Sequence, residues 1–186
     1  KKIPKIMETG YPKLDYLKKN IKLSKQASDS IVIAPTHCNH IEKLSLFNCL
    51  KELIEILLTS TTSKVIFRPH PSNIKNQKTL DIEEIFKNNK NFKLDTSSDY
   101  SNTYIHSMCL ITDLSGTAYT YAFLTKKPVI FFLKSEKLIN SFEFENLSYF
   151  KDREKIGVVA RDLSEIKNII INIKYIEEKK KVSNDI

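Results

Sequence analysis

Four short segments of the sequence combine imidazole, guanidinium, hydroxyl and carboxylate side chains directly after apolar runs. They are Pro35-Thr36-His37, Arg68-Pro69-His70-Pro71, Asp95-Thr96-Ser97-Ser98 and Thr112-Asp113-Leu114-Ser115-Gly116-Thr117. Cationic groups and hydrogen-bond donors gathered at one place favour an anionic ligand. The last segment leads into a predicted helix, and the first N–H groups of a helix, with its positive dipole end, bind phosphate well. These residue types and their spacing therefore predict a phosphate-containing ligand.

Some of these residues also have a purely structural interpretation. Ser115-Gly116-Thr117 could serve only as a helix cap. His37 could bond nearby backbone, whereas the prolines on both sides of His70 fix its backbone and favour a functional role. Asp113 has two open roles, because it could bind a ribose or donor hydroxyl or could orient the N–H groups of neighbouring loops.

Several familiar kinds of site do not fit the sequence. The chain has only three glycines, so it contains neither the GxGxxG turn nor the GxxxxGK[ST] loop. His37, Cys38 and His40 are too crowded for an ordinary zinc site and lack a matching second pair. Ser115 lacks the GxSxG elbow of α/β hydrolases. We therefore expect no metal and no cofactor, only a substrate that carries the phosphate.

The elements that position these residues follow from the apolar pattern. Short apolar runs alternate with stretches of helical spacing, which predicts the α/β class, a parallel sheet covered by helices. Six strands are expected at residues 31–34, 65–67, 92–94, 109–111, 129–132 and 157–160, and helices at about 41–58, 80–88, 99–107, 116–125 and 162–178. Ligands of open parallel sheets bind beyond the carboxyl ends of the strands, so the four polar segments are predicted to meet there.

Length and charge bound the remaining possibilities. Residues 1–28 are expected to be a turn and helix entering from a preceding domain, residues 29–180 the ligand-binding domain, and residues 181–186 a frayed tail. The net charge is +8, but the basic residues are spread thinly and no nucleic-acid-reading module is visible, so we expect a small anionic partner. The sequence has no apolar run of membrane-spanning length and no CxxC pair, which favours a cytoplasmic location. Peripheral attachment at the inner face of the cell membrane stays open.

Five segments form an ordered pattern along about two thirds of the chain, from Gly10 to Phe132. They are Gly10-Tyr11-Pro12-Lys13-Leu14-Asp15, Ile33-Ala34-Pro35-Thr36, Arg68-Pro69-His70-Pro71, Ile111-Thr112-Asp113-Leu114-Ser115 and Lys127-Pro128-Val129-Ile130-Phe131-Phe132. In this order they resemble the C-terminal domain of the CDP-glycerol glycerophosphotransferase family. The resemblance implies the Rossmann-like, C-terminal half of a GT-B fold, in which this domain holds the donor nucleotide.

The resemblance also implies a function. It predicts a bacterial transferase that moves glycerophosphate or a sugar from a cytidine-nucleotide donor onto teichoic acid or capsule polymer. His70 and Ser115 would contact the donor phosphates, with Thr117 helping. The expected donor-binding set is Pro35, Thr36, His37, His70, Thr112, Asp113, Ser115, Gly116 and Thr117. The base that activates the acceptor is expected in the preceding domain, so the chain alone should be inactive.

Departures from the family pattern leave alternatives open. His37-Cys38 stands where an Arg is usual, Gly116 replaces a second Ser, and Thr120 replaces an Asp. The His-Pro pair and the Ser-rich turn are also similar to those of sialyl- and Kdo-transferases, so a CMP-sugar donor remains possible. A non-catalytic nucleotide-binding module is a second alternative.

The chemistry of such a transfer assigns roles to two side chains. The leaving phosphate develops negative charge, which fixed positive groups and N–H donors stabilise. Protonated His70, Arg68 turned into the cleft, and the start of the helix at 116–125 are predicted to supply that stabilisation.

Overall fold

The computed structural model describes residues 10–20, 29–37, 45–134 and 148–173. It contains a parallel six-stranded sheet. The strands are β1 Ser30–Ile33, β2 Lys64–Phe67, β3 Phe92–Leu94, β4 Ser107–Thr112, β5 Val129–Phe132 and β6 Gly157–Ala160. Their spatial order is β3-β2-β1-β4-β5-β6. The α/β class and all six expected strands are therefore confirmed.

Helices connect the strands and cover the sheet. They are α1 Pro12–Asn20, α2 Leu50–Ser60, α3 Gln77–Phe86, α4 Ser101–Ile105, α5 Thr117–Thr125, α6 Ser148–Lys151, α7 Arg153–Ile156 and α8 Leu163–Ile171, with 3₁₀ turns at Leu46–Cys49 and Pro71–Asn73. None of the helices in these described parts is both long and apolar enough to cross a membrane.

The central strands are buried on both faces, which explains their unbroken apolar sequence. Ile31 and Ile33 of β1 join an apolar cluster with residues of α2 and α8. Val32, between them, belongs to a second cluster with residues of α5. Alternate residues of a strand point to opposite faces, so β1 anchors both helix layers. Complete burial of each such side chain stabilises the fold by about 1.5–3 kcal/mol.

Capping residues set helix boundaries that differ from the expected ones. In the stretch expected to be a helix at about 41–58, α2 begins only at Leu50. A 3₁₀ turn at residues 46–49, capped by the Ser45 hydroxyl, precedes it. Residues 41–44 lie outside the described parts. The helix expected from about residue 80 begins at Gln77, since the Asn76 side chain accepts from Lys78 N at 3.0 Å. The helix expected to reach residue 107 ends at Ile105, because β4 already begins at Ser107.

The last helix begins where the sequence predicts. Asp162 Oδ1 accepts from Glu165 N at 2.8 Å, and Glu165 Oε2 accepts from Arg161 N at 2.7 Å. Asp162 is thus the N-cap of α8, while Glu165 accepts from the N–H of the residue before the N-cap. The rest of this expected helix beyond residue 173, and the tail at 181–186, lie outside the described residues. The division into segments 1–28, 29–180 and 181–186 stays a prediction.

The order of the strands creates a crevice. From β1 the chain builds outward through β2 to β3, then returns past β1 to build β4, β5 and β6 in the other direction. The connections therefore diverge between the carboxyl ends of β1 and β4. Such a reversal point is where open parallel sheets bind ligands.

Gly157 allows close approach of β5 and β6, and we expect its replacement by alanine to destabilise the fold. Gly157 pairs with Val129 across these strands, and an added Cβ would overlap the Val129 carbonyl group. Overpacking of this kind costs about 1–3 kcal/mol. Urea unfolding of Gly157→Ala should show that loss. Gly116→Ala is the matched control, because its Cβ would meet open space and its φ of −59° suits any residue. Equal stability of the two variants would contradict the packing argument.

Candidate functional site

The four polar segments begin side by side at the carboxyl edge of the sheet. Backbone hydrogen bonds continue past the strand ends, from Ala34 N to Ile111 O at 2.9 Å and from Arg68 N to Ile33 O at 2.8 Å. Asp95 N likewise bonds Phe67 O at 2.8 Å. These bonds fix the position of each segment relative to its neighbour.

A cavity of about 260 Å³ lies at this edge. It is lined by Ala34, Pro35, Arg68, Pro69, His70, Pro71, Ser98, Tyr100, Tyr104, Ser115 and Thr117. Of the expected site residues, it thus brings together Pro35, Arg68, His70, Ser115 and Thr117. Thr36, His37, Thr112, Asp113 and Gly116 lie outside its lining. A larger cavity of about 500 Å³ at the opposite edge has no charged lining residue, so we consider the carboxyl-edge cavity the candidate site.

Asp113 holds the loops around the cavity together. It is 2% exposed, and its carboxylate accepts from Thr36 N at 2.7 Å, Leu46 N at 2.8 Å and Leu114 N at 2.7 Å. Burial raises the pKa of this carboxyl, while the backbone amides oppose that rise. Of the two roles left open by the sequence, the structure shows Asp113 orienting loop N–H groups. Thr112 acts similarly, since its hydroxyl donates to Ala34 O at 2.6 Å.

Arg68 lines the cavity with its charge already compensated. Its guanidinium donates to Asp95 Oδ2 at 2.8 Å and to Ser97 O at 2.7 Å, and the Arg68 and Asp95 side chains are 12% and 5% exposed. Burial opposes ionisation of Asp95, but hydrogen bonds from Ser97 and Thr103 and the charge of Arg68 hold its pKa below the usual value. Arg68 thus lines the cavity as the ion-pair partner of Asp95, and its role in stabilising the leaving phosphate stays a prediction.

His70 takes part in the local backbone structure through its imidazole ring. Its Nδ1 accepts from Ser72 N at 3.2 Å, which caps the 3₁₀ turn that begins at Pro71. Burial lowers the pKa of His70, and the adjacent His37 ring, 5.3 Å away between centroids, lowers it further. Because Nδ1 accepts a backbone N–H, the ring offers its N–H donor at Nε2. That a protonated His70 stabilises the leaving phosphate stays a prediction.

Three tyrosines that sequence reasoning missed shape the Ser115-Gly116-Thr117 loop. Tyr104 OH lies 2.6 Å from Thr117 Oγ1, and the Tyr104 ring packs against that of Tyr100 at 5.0 Å. Tyr149 OH donates to Ser115 O at 3.1 Å and to Asp113 O at 3.3 Å. Burial raises the pKa of Tyr149, so its hydroxyl remains a donor. Tyr100 and Tyr104 are four residues apart in a predicted helix, and this spacing could have indicated that both rings lie on one face. Nothing in the sequence links Tyr149 to this loop.

The site offers hydroxyl and N–H donors without a metal centre of its own. In residues 10–20, 29–37, 45–134 and 148–173, no three His, Cys, Asp or Glu side chains are grouped to hold a metal ion. Donors at the cavity are the His70 imidazole and the Ser115 and Thr117 hydroxyls. At the start of α5, Thr117 N donates to Ser115 Oγ at 3.4 Å and Ala118 N donates to Ser115 O at 3.1 Å. Such a set suits an anionic oxygen ligand.

We expect Asp113→Asn to destabilise the fold by about 1–3 kcal/mol. The new amide group would face the Leu46 N–H, leaving a buried donor without an acceptor. Urea unfolding measures the loss. Asp29→Asn is the control, because the exposed Asp29–Lys64 pair at 3.5 Å should contribute about 0.5 kcal/mol or less. A stable Asp113→Asn variant would mean that the carboxylate does not hold the loops.

We expect NMR titration of His70 to give a pKa below the 6.5 of an unperturbed histidine, with the ¹⁵N shifts of a ring protonated on Nε2. His37→Ala should raise that pKa part of the way back, because one of the two causes is removed. A His70 ring still doubly protonated at neutral pH would contradict the lowered pKa.

Solved structures share this fold. The wall teichoic acid polymerase TagF matches 90% of this chain at 24% identity, with a TM-score of 0.58, over 39% of the TagF chain. A TagF variant soaked with CDPG gives the same identity and TM-score over 37% of its chain. The UDP-GlcNAc 2-epimerase of Methanocaldococcus jannaschii, in complex with UDP-GlcNAc and UDP, matches 88% of this chain at 15% identity and a TM-score of 0.53, over 42% of its own chain.

These likenesses confirm the Rossmann-like half of a GT-B fold. The chain spans about two fifths of the length of the structures it matches. No curated protein sequence matches it closely enough to count as a relative. The sequence profile of CDP-glycerol:poly(glycerophosphate) glycerophosphotransferases matches residues 2–185. Because that match covers nearly its whole length, the chain belongs to the CDP-glycerol:poly(glycerophosphate) glycerophosphotransferase family.

Proposed function

We propose that this chain is the donor-binding part of a transferase that moves glycerophosphate from CDP-glycerol onto teichoic acid or a similar cell-surface polymer. The observation that carries the proposal is the convergence of His70, Ser115 and Thr117 on one cavity at the reversal point of the sheet. Family membership supplies the donor chemistry.

The size of the cavity fits the phosphates of the donor better than the whole nucleotide. Pockets that enclose a drug-sized molecule run from about 300 to 1,000 Å³. A cavity of about 260 Å³ suits the diphosphate, with the cytidine and glycerol extending along the sheet edge. The start of α5 and the His70 Nε2–H would then face phosphate oxygens.

In the proposed reaction, an acceptor hydroxyl attacks the phosphorus that carries glycerol. The bond from that phosphorus to the bridging oxygen breaks, and CMP leaves with the electron pair. The acceptor proton passes to a base that we place in the remaining part of the enzyme, since this chain spans about two fifths of the matched structures. His70 and the α5 N–H groups would stabilise the charge developing on CMP.

The alternatives remain distinguishable from this proposal. A CMP-sugar donor would use the same phosphate donors, but no described residue favours a sugar over glycerol. A non-catalytic module would bind nucleotide without transfer.

We propose the cytoplasmic side of the cell membrane as the place of action, because an activated nucleotide donor and a growing polymer must meet there.

Calorimetric titration of the chain with CMP, CDP, UDP and ADP tests the proposal. We expect selective binding of the cytidine nucleotides, weakened about 10-fold by His70→Ala and by Ser115→Ala, since each removes one donor to an anionic oxygen. Thr62→Ala is the control, because Thr62 lines the opposite-edge cavity and not the candidate site. Absence of binding, or binding that neither site variant weakens, would refute a donor site here.

A further inference from the structure

Lys13 lies outside the four strand-end segments, yet its ammonium group contacts a tyrosine that lines the cavity. Lys13 Nζ is 4.9 Å from the centroid of the Tyr100 ring, and Tyr100 lines the cavity. The helix that carries Lys13, α1, packs on α5, and its Leu14 is buried at 9% exposure. The start of the chain therefore presents a cation beside the candidate phosphate site.

The charge balance of the cavity makes this cation important. Arg68 forms an ion pair with Asp95 at 2.8 Å, and the Nδ1 of His70 already accepts the Ser72 N–H at 3.2 Å. Among the described residues, no carboxylate forms an ion pair with Lys13. The neighbouring Tyr100 hydroxyl raises the pKa of Lys13, so its ammonium is charged. The one charged residue of the described lining, Arg68, is paired with Asp95, so Lys13 would bring a second positive charge to a bound diphosphate.

We propose that Lys13 binds the donor phosphates and makes the site selective for a nucleoside diphosphate over a monophosphate. This inference rests on the proposed function. In the unliganded chain the ammonium lies over the Tyr100 ring, a cation–π contact that is weaker than a charge-assisted hydrogen bond to phosphate. The lysine side chain has rotatable bonds enough to exchange one partner for the other.

The proposal gives α1 a second role. The sequence predicts this segment only as an entry helix, but α1 packs on α5. Lys13 also contacts Tyr100, which packs on Tyr104, the partner of the Thr117 hydroxyl. Lys13 and the first turn of α5 then approach the diphosphate from different elements. The binding site thus extends beyond the sheet-edge loops to a helix that precedes the first strand.

Titration of the full 186-residue chain with cytidine, CMP and CDP tests the role of Lys13. We expect Lys13→Gln to weaken CDP binding about 10-fold and CMP binding less, and to leave cytidine binding unchanged, because only the phosphate contacts lose a charge. Lys13→Arg should retain most of the CDP affinity. Lys18→Gln is the matched control, since it removes the same charge from an exposed position on the same helix.

The outcomes separate the two proposals. If the unmodified chain binds no CDP, the proposed function fails, and this inference fails with it. If CDP binds but Lys13→Gln binds it equally well, only the role of Lys13 is overturned. Equal weakening of cytidine and CDP, with a lower melting temperature, would also overturn it, because Lys13 would then only hold Tyr100 and α1 in place.

Discussion

One buried carboxylate determines how the candidate site is arranged. Asp113 accepts backbone N–H groups from the loop after β1, from the 3₁₀ turn before α2 and from its own loop after β4. A buried carboxylate is costly unless its oxygens are hydrogen-bonded, so these three segments must keep their positions for the fold to tolerate it. The cavity lies among the segments that this requirement holds in place.

The site combines anion-binding geometry with little permanent charge. Arg68 is held by Asp95 and Ser97, and the Nδ1 of His70 is occupied by a backbone N–H. Both residues therefore shape the cavity through fixed, directional hydrogen bonds. A site of oriented dipoles needs little rearrangement when charge develops in the reaction, which is the main way enzymes stabilise such charge.

The sequence predicts the strands and the edge where the site forms, because apolar runs and the residues that follow them are local features. It could not predict how the polar side chains pair. Asp113 and Thr36 are 77 positions apart, and Arg68 and Asp95 are 27 apart, so only the three-dimensional fold shows that one carboxylate orients loops and the other neutralises a cation. The same limit explains why the sequence did not predict the pairing of Arg68 with Asp95 or the bond from Ser72 N to His70. Helix starts were missed by a few residues where the capping residue, such as Asn76, was not recognised.

The hydroxyl of Tyr149 connects two distant parts of the chain. Tyr149 lies in α6, after β5, and its hydroxyl donates to the carbonyl groups of Asp113 and Ser115 in the loop after β4. Tyr119 of α5 in turn donates to the Tyr149 carbonyl at 2.7 Å. Ser115 lines the cavity, so a shift of α6 would be transmitted to the cavity through the hydrogen bond from Tyr149.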